Sequence, residues 1–180
     1  MGTDTPGVPP ESKIAHRVLE GPIVKLPHRI DTDLIYPGRY LSVRSPDEMS
    51  KHVFEHLDSP TRARIKSPSI IVAGRNFGCG SSRSQAVTAV KHAGVVAIVA
   101  VSFARIYFRN CINQGLPVII CPEAFDLLQE DRTAKIDLPG GTIESDGLTL
   151  RFNPLPDFLL RILSAGGLIP YTRDIRMRAQ

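Results

Sequence analysis

Residues Ser69–His92 read SIIVAGRNFGCGSSRSQAVTAVKH, and the interpretation of the whole chain starts from this stretch. It opens with a short apolar run at residues 70–73, which is typical of a buried strand. A glycine-spaced loop follows at residues 74–80, and beyond it alanine and valine recur at three- and four-residue steps. That periodicity is typical of a helix. The stretch therefore predicts a strand, a tight loop and the start of a helix.

The junction between this loop and the helix reads Ser81-Ser82-Arg83. Ser81 or Ser82 is predicted to cap the helix by accepting from its free backbone N–H groups. Those N–H groups favour an anion in front of them, and Arg83 adds a two-pronged donor that suits a carboxylate. The spacing fits neither a P-loop nor a dinucleotide fingerprint. The local chemistry predicts a site for an organic acid, although serine at a helix start is usually only a cap.

Composition narrows the class of protein. The 180 residues predict one domain, and an apolar content of 42% is enough for a folded core. The net charge of +4 is scattered and only 6% of residues are aromatic, which argues against nucleic-acid binding. No apolar run is long enough to span a membrane, and the three cysteines form no CxxC pair. We expect a cytoplasmic protein that contacts neither nucleic acid nor membrane and provides no metal site of its own.

Local composition also divides the chain. Residues 1–12 are rich in proline, glycine and threonine, which predicts a disordered leader. Residues 13–172 are predicted to form the folded domain, and residues 173–180 a basic tail that frays. At the start of the domain, two short strands are predicted at residues 14–19 and 23–26.

The middle of the chain predicts an alternating α/β unit. Continuous apolar runs at residues 95–100 and 116–120 are typical of strands buried on both faces, and hence of a parallel sheet. Together with the first strand and three helices, they predict a βαβαβα unit over about residues 69–130. Ser102 is predicted to cap the second of these helices, and Pro122 to begin the third.

A helix is predicted from Pro46 to about Leu57, with Ser45 as its cap. His52 and His56 lie four residues apart in it, which is an interval suited to metal ligands. Because no third ligand is evident nearby, an exposed pair on a polar helix is the favoured interpretation.

The last third of the chain predicts a small antiparallel sheet and a closing helix. Alternating residues indicate three strands, and Ser145-Asp146-Gly147 is a hairpin turn between the second and third. The closing helix is predicted over residues 156–163, ended by Gly166-Gly167.

Several stretches, taken in chain order, match the motifs of one family: DTDLI at residues 31–35 with PGRYL at 37–41, GRNFGCGSSR at 74–83, SFARI at 102–106 with Arg109-Asn110 and Asn113-x-Gly115, and AGGL at 165–168. The sequence resembles the small subunits of isopropylmalate isomerase (3-isopropylmalate dehydratase), the swivel-domain partners in the aconitase superfamily. The match spans roughly residues 20–172. The GCGSSR and SFARI blocks are highly specific in combination.

The resemblance implies a β/β/α swivelling domain, like the C-terminal domain of aconitase, within a two-chain hydro-lyase. In that family the large subunit carries a [4Fe–4S] cluster on its own cysteines, so this chain is expected to bind no cofactor itself. The implied reaction isomerises a 2-hydroxy dicarboxylic acid by dehydration and rehydration, as in leucine biosynthesis. The chain is expected to be inactive without its large subunit.

The same resemblance implies roles for individual residues. Ser81 is the base that removes a proton from the carbon next to a carboxylate. Arg83 binds a substrate carboxylate and, together with the helix start, stabilises the anion of Ser81. Ser82 supplies a second hydrogen bond. Asp33 matches an acid that pairs with a group of the large subunit.

Substrate choice is implied to depend on a mobile loop, Tyr40-Leu41-Ser42-Val43-Arg44, that lies over the variable arm of the substrate. Relatives that take a third carboxylate have an arginine at the position of Ser42. Serine offers no cation and Val43 offers an apolar contact, while a buried carboxylate without a partner is strongly disfavoured. We therefore expect a dicarboxylic acid with an aliphatic arm, such as isopropylmalate.

Two features leave alternatives open. Arg44 can supply a cation in place of the missing arginine, which favours a homoaconitate-type substrate. Ser84-Gln85 follow the SSR motif where relatives have Glu-His or Glu-Gln. That departure is compatible with a dimethylmalate-type dehydratase or with a non-catalytic swivel module that binds an anion.

Overall fold

The structure, a computed structural model, describes residues 18–81 and 83–178. Its strands are β1 (Val18–Leu26), β2 (Ser69–Ala73), β3 (Val95–Ala100), β4 (Val118–Ile120), β5 (Thr133–Asp137), β6 (Thr142–Ser145) and β7 (Leu148–Arg151). Its helices are α1 (Thr32–Ile35), α2 (Pro46–Ser50), α3 (Ser59–Arg64), α4 (Ser84–His92), α5 (Arg105–Gln114), α6 (Pro122–Leu127), α7 (Asp157–Ser164) and α8 (Leu168–Arg178). The strands form one mixed sheet in the order β4-β3-β2-β1-β5-β6-β7.

The parallel half of the sheet is the α/β unit predicted for residues 69–130. Strands β1, β2, β3 and β4 run parallel, and α4 and α5 connect the last three of them. Every residue of β2 is buried, and in β3 only Val96 is half-buried. Helices cover such strands on both faces, which is why they read as continuous apolar runs in the sequence. The prediction of a parallel layer is confirmed.

Strand β1 joins the parallel and antiparallel halves. Val18–Pro22 pairs antiparallel with β5, and Ile23–Leu26 pairs parallel with β2. The two short strands predicted here are therefore one strand, which changes partner at Gly21-Pro22 without turning. Proline has no N–H to donate to a ladder, so its position suits the change of partner. Residues 14–17 of the predicted first strand lie outside the described residues.

The antiparallel half is the predicted meander of β5, β6 and β7. The turn between β6 and β7 has positive φ angles at Asp146 (49°) and Gly147 (79°), as a tight hairpin requires. The Ser145 hydroxyl donates to the carbonyl oxygen of Thr133 at 2.9 Å and ties the turn to β5.

Helix α2 is shorter than the sequence predicts. It ends at Ser50, whereas the predicted helix runs to about Leu57, and Ser45 makes no side-chain capping bond in the described structure. Phe54 is fully buried with a φ of 51°, a left-handed conformation that no helix can continue through. His52 and His56 therefore do not share a helix face: His52 is half-buried and His56 is exposed.

Helix α8 (Leu168–Arg178) includes residues 173–178, for which a fraying tail is predicted. Gly166 and Gly167 follow α7 with φ angles of 87° and 133°, in agreement with the predicted stop. Helix α8 then packs against α5 and α7, and the expected boundary at residue 172 falls inside it. The predicted leader at residues 1–12 lies outside the described residues. Within the described part of the chain, no helix has the length and apolarity needed to cross a bilayer.

Candidate active site

A cleft of about 330 Å³ opens where the loop after β2 meets the first turn of α5. Both segments follow the carboxyl ends of neighbouring parallel strands, where open α/β sheets bind their ligands. Isolated bridges hold the walls in register, one between Phe77 and Phe103 and one between Asp31 and Cys79. Among the described residues, the cleft is lined by Gly78, Gly80, Ser81, Arg83, Ala104, Arg105, Ile106, Tyr107 and Asn110.

The glycine loop, residues 74–80, owes its path to one close contact. Gly78 is buried and has a φ of 76°, a region that favours glycine. A Cβ atom at this position would lie 2.1 Å from Cγ of Tyr107, which is far closer than two carbon atoms can approach. The loop therefore contacts α5 directly, and the next residues reach the rim of the cleft.

Ser81 lies at that rim and is exposed. Its Oγ atom is 3.3 Å from Oγ1 of Thr32, which is only 1% exposed. Helix α4 begins later, at Ser84, with Arg83 in the N-cap position and without a side-chain capping bond among the described residues. The prediction that Ser81 caps this helix is wrong, because its hydroxyl pairs with Thr32. Ser82 lies outside the described residues.

Helix α1 holds Thr32 against the glycine loop. Asp31 caps the helix by accepting from the backbone N–H of Leu34 at 2.7 Å. The backbone N–H of Thr32 donates to the carbonyl oxygen of Cys79 at 2.8 Å. Asp31 thus starts a short helix that is fixed to the loop carrying Ser81.

Arg83 and Asp33 form an ion pair, in which Nη1 of the arginine donates to Oδ1 of the aspartate. The Arg83 side chain is 19% exposed and the Asp33 side chain 63%, so the carboxylate lies on the solvent side. The hydrogen bond from Arg83 is the main cause that lowers the pKa of Asp33, with smaller contributions from its charge and from the backbone N–H of Gly38. The resemblance assigns Asp33 to a group of the large subunit, whereas within this chain it pairs with Arg83.

The loop Tyr40–Arg44 lies outside the cleft. The Tyr40 ring stacks on His52 with the ring centroids 3.7 Å apart, and its carbonyl oxygen accepts from the Tyr36 hydroxyl at 2.8 Å. The rest of the loop is exposed except for Val43, which is half-buried. The structure therefore brings Ser81, Arg83 and Asp33 together, while the five loop residues stand apart from them.

The first turn of α5 is a feature of the cleft that sequence reasoning missed. Its N-cap residue is Ala104, and no side chain caps the helix within the described structure. Ser102, predicted as its cap, instead accepts from the backbone N–H of Asn76 at 2.9 Å and ties the two loops together. The N–H groups of an uncapped first turn favour an anion. The sequence does contain a signal for this uncapped turn: Ala104, in the SFARI motif, occupies the cap position and has no side-chain group that could cap the helix.

The cysteines of this chain do not suit an iron–sulphur cluster. Cys111 and Cys121 are buried, which raises the pKa of both thiols, and Cys79 is half-buried in the glycine loop. Within residues 18–81 and 83–178, no three His, Cys, Asp or Glu side chains are grouped to hold a metal ion. A thiol that remains protonated is a poor metal ligand.

Comparison with known proteins adds the family. Residues 11–123 match the family described as the aconitase C-terminal domain. The chain is 46% identical over 142 residues to 3-isopropylmalate dehydratase small subunit 1 of Methanopyrus kandleri, over 78% of this chain and 84% of that relative. It is 45% identical over 152 residues to small subunit 1 of Archaeoglobus fulgidus, over 83% of this chain and 94% of that relative.

A solved structure gives the same result. The crystal structure of 3-isopropylmalate dehydratase (leuD) from Methanocaldococcus jannaschii matches with a TM-score of 0.83 and 38% identity, over 89% of this chain and 96% of that one. The predicted swivelling-domain fold is thereby confirmed. The family match includes the glycine loop, Arg83 and the first turn of α5. The chain therefore belongs to the family of 3-isopropylmalate dehydratase small subunits, lyase subunits of leucine biosynthesis that are built on the aconitase C-terminal domain.

Proposed function

We propose that Ser81 and Arg83 supply the small-subunit half of an active site that interconverts 2-isopropylmalate and 3-isopropylmalate by loss and return of water. The observation that carries this proposal is that both residues line one cleft with the uncapped first turn of α5. A base, a guanidinium and free N–H groups are the parts needed to hold a carboxylate and to remove a proton beside it.

Ser81 acts as the base. Its Oγ, as the alkoxide, takes the proton from the carbon next to a substrate carboxylate, and the hydroxyl on the adjacent carbon leaves as water with a proton from solvent. Water then adds in the opposite orientation: the hydroxyl goes to the carbon that lost the proton, and a proton goes to the carbon that lost the hydroxyl, so the hydroxyl changes position. An unaided serine is far too weak a base for this step, so its anion must be stabilised. The Thr32 hydroxyl is buried and lies 3.3 Å from the Ser81 hydroxyl, so it can donate to Ser81 once Ser81 is an anion.

Arg83 binds a substrate carboxylate. A guanidinium has five N–H donors in a fixed plane, so the bond from Nη1 to Asp33 leaves other donors for a second carboxylate. Asp33 fixes the direction of the guanidinium before substrate arrives. We propose Ser82 as a further donor to the same carboxylate.

The large subunit completes the enzyme. Dehydratases of the aconitase family generally depend on an iron–sulphur cluster, and the cysteines of this chain do not suit one. We therefore propose that the large subunit carries the cluster and that this chain alone is colourless and inactive. We also propose a cytoplasmic location, with neither nucleic acid nor membrane as a partner.

The loop Tyr40–Arg44 selects the substrate in this proposal. Its exposed tip suits a segment that closes over the cleft only when substrate and large subunit are present. Ser42 provides no cation for a third carboxylate, so an aliphatic arm is favoured. Arg44 is also exposed, and this observation favours a homoaconitate-type tricarboxylate as the second candidate. Preference of the reconstituted enzyme for the tricarboxylate over isopropylmalate would reject the first candidate.

The deciding experiment combines this chain with a cluster-loaded large subunit and measures turnover of 3-isopropylmalate. Ser81→Ala is expected to lower kcat about 10²- to 10⁴-fold, as loss of a general base does. Ser84→Ala is the matched control, because Ser84 is exposed and its hydroxyl bonds only to the side chain of Gln85 within the described structure. Unchanged turnover of the Ser81 variant would eliminate the assignment of the base.

A further inference from the structure

Tyr40, the first residue of the selecting loop, contacts a set of side chains to which the family motifs assign no role, and two of them, His52 and Glu55, lie outside those motifs. Two side chains pack on its ring: His52 stacks on it with the centroids 3.7 Å apart, and the Arg39 guanidinium lies over it, 4.9 Å from its centroid. Arg39 in turn donates from Nη2 to Oε1 of Glu55 at 2.5 Å. We call Arg39, His52 and Glu55 the platform.

Glu55 is the centre of the platform. Its side chain is 27% exposed, and its Oε2 atom is shielded from solvent without a hydrogen-bond partner among the described residues. Nδ1 of His52 lies 3.8 Å from that oxygen. Hydrogen bonding from the Tyr40 hydroxyl is the main cause that lowers the pKa of Glu55. One carboxylate therefore lies beside both residues that pack on the Tyr40 ring, Arg39 and His52.

The platform is itself fixed to the core. Phe54, between His52 and Glu55, is fully buried, and its backbone N–H donates to the carbonyl oxygen of Ile35 at 2.9 Å. Its φ of 51° is left-handed, so the chain turns at this residue and no right-handed helix passes through it. A buried aromatic side chain and a bond to the end of α1 give the platform a defined position relative to Thr32, which starts the same helix.

The other end of the turn that carries Tyr40 reaches the cleft. The 3₁₀ turn Gly38–Tyr40 begins beside the Asp33–Arg83 pair, because the Gly38 N–H donates to Asp33 and a Cβ atom on Gly38 would lie 3.5 Å from Nη1 of Arg83. The turn thus has one end at Arg83 and the other on the platform. Beyond it, Leu41, Ser42 and Arg44 are exposed.

We propose that Glu55, with His52 and Arg39, positions Tyr40 and thereby sets the pose of residues 41–44 over the substrate. Glu55 touches no substrate, so it is a positioning residue that acts through Tyr40. This inference rests on the proposed function, since it deepens the role of the selecting loop. It predicts that weakening the platform frees the loop, which raises the KM for substrate and leaves the chemical step almost unchanged.

The first test needs only the full chain alone. Glu55→Gln is expected to raise the rate of tryptic cleavage after Arg44 about 3- to 10-fold, the range expected from losing one charge-assisted contact. Glu48→Gln is the matched control, because Glu48 pairs with Lys51 at 2.7 Å on the exposed side of α2. Equal cleavage in the wild type and the Glu55 variant would overturn the proposal.

The second test uses the reconstituted enzyme. Glu55→Gln is expected to raise the KM for 3-isopropylmalate about 3- to 10-fold with kcat within about twofold, which is the signature of lost uniform binding. Tyr40→Phe keeps the stack but removes the hydroxyl, so it should match Glu55→Gln, and the double variant should be no worse than either. Additive losses, or a loss confined to kcat, would overturn the positioning role.

The two tests separate this inference from the proposed function. If the reconstituted wild-type enzyme does not turn over any isopropylmalate, the proposed function fails, while the cleavage rates still decide whether the platform holds the loop. If cleavage accelerates but KM stays constant, the platform holds the loop without any effect on substrate selection, and the inference is rejected.

Discussion

The hydroxyl oxygens of Thr32 and Ser81 lie 3.3 Å apart, although 49 positions separate the two residues in the chain. The backbone bond from Thr32 to Cys79, at 2.8 Å, keeps α1 and the glycine loop in this arrangement. Thr32 is buried and Ser81 is exposed, so the fixed hydroxyl orients the accessible one. This relationship makes Thr32 part of the site, although no sequence motif assigns it a role.

Thr32→Val should therefore lower kcat about tenfold, because a hydrogen bond to a developing anion is worth about 1.4 kcal/mol or more. Valine has nearly the same shape, so the fold and the KM should change little. Thr32→Ser restores the hydroxyl and should restore most of the rate. Steady-state kinetics of the reconstituted enzyme measures both variants, and an equal loss of activity in both would contradict the role of the hydroxyl.

The Asp33–Arg83 pair makes a prediction about pH. Arg83 lowers the pKa of Asp33, so the carboxyl should titrate below the ordinary value of about 3.9. When the pKa of a carboxyl is lower in the folded than in the unfolded protein, its ionisation stabilises the fold at a pH above the unfolded-state pKa. This stabilisation is lost as the pH falls through the folded-state pKa. The gain is below about 1 kcal/mol, because Asp33 is 63% exposed and the pair is screened by solvent.

Carbon-detected NMR of the Asp33 carboxyl measures this titration directly. Arg83→Gln should raise the midpoint towards the ordinary value. Arg62→Gln is the control, because Arg62 donates to the carbonyl oxygen of Lys51 on another part of the surface. A midpoint that does not move in the Arg83 variant would show that the pair does not form in solution.

The glycine loop predicts a large difference between two glycine substitutions. Gly78→Ala should lower the free energy of unfolding by about 2–4 kcal/mol, because it combines left-handed strain with a clash against Tyr107. Gly147→Ala has a similar φ of 79° but no atom within 4 Å of the new Cβ, so only the strain of about 1–2 kcal/mol remains. Urea unfolding at equilibrium compares the two, and equal losses would refute the close contact.

The α/β core could be predicted from sequence because its signals are local. Continuous apolar runs indicate buried parallel strands, and Asp146-Gly147 marks a hairpin with its own backbone preference. Family motifs also identified Ser81 and Arg83, whose side chains do line the cleft. The partner of each of these side chains, Thr32 or Asp33, lies in a segment about fifty residues away, and no periodicity encodes such a pairing.

The errors in local structure have a common physical cause. The sequence predicts caps at Ser81 or Ser82 and at Ser102, but the Ser81 hydroxyl pairs with Thr32 and the Ser102 hydroxyl accepts from the N–H of Asn76. The helix after Ser45 ends at Ser50, and it cannot continue to Leu57 because the buried Phe54 has a left-handed φ. In each case a contact made on folding outweighs a propensity worth about 1 kcal/mol or less.

Strand β1 belongs to both halves of the sheet, and this has a consequence for synthesis on the ribosome. Its second part, Ile23–Leu26, can pair with β2 as soon as β2 has been translated, since Ile23 pairs with Ile70. Its first part, Val18–Pro22, can pair with β5 only after Asp137, the partner of Val18, has been translated. The nascent chain therefore carries an unpaired β-edge through most of its elongation. Chaperones that shield such edges are expected to engage this subunit before it meets its partner.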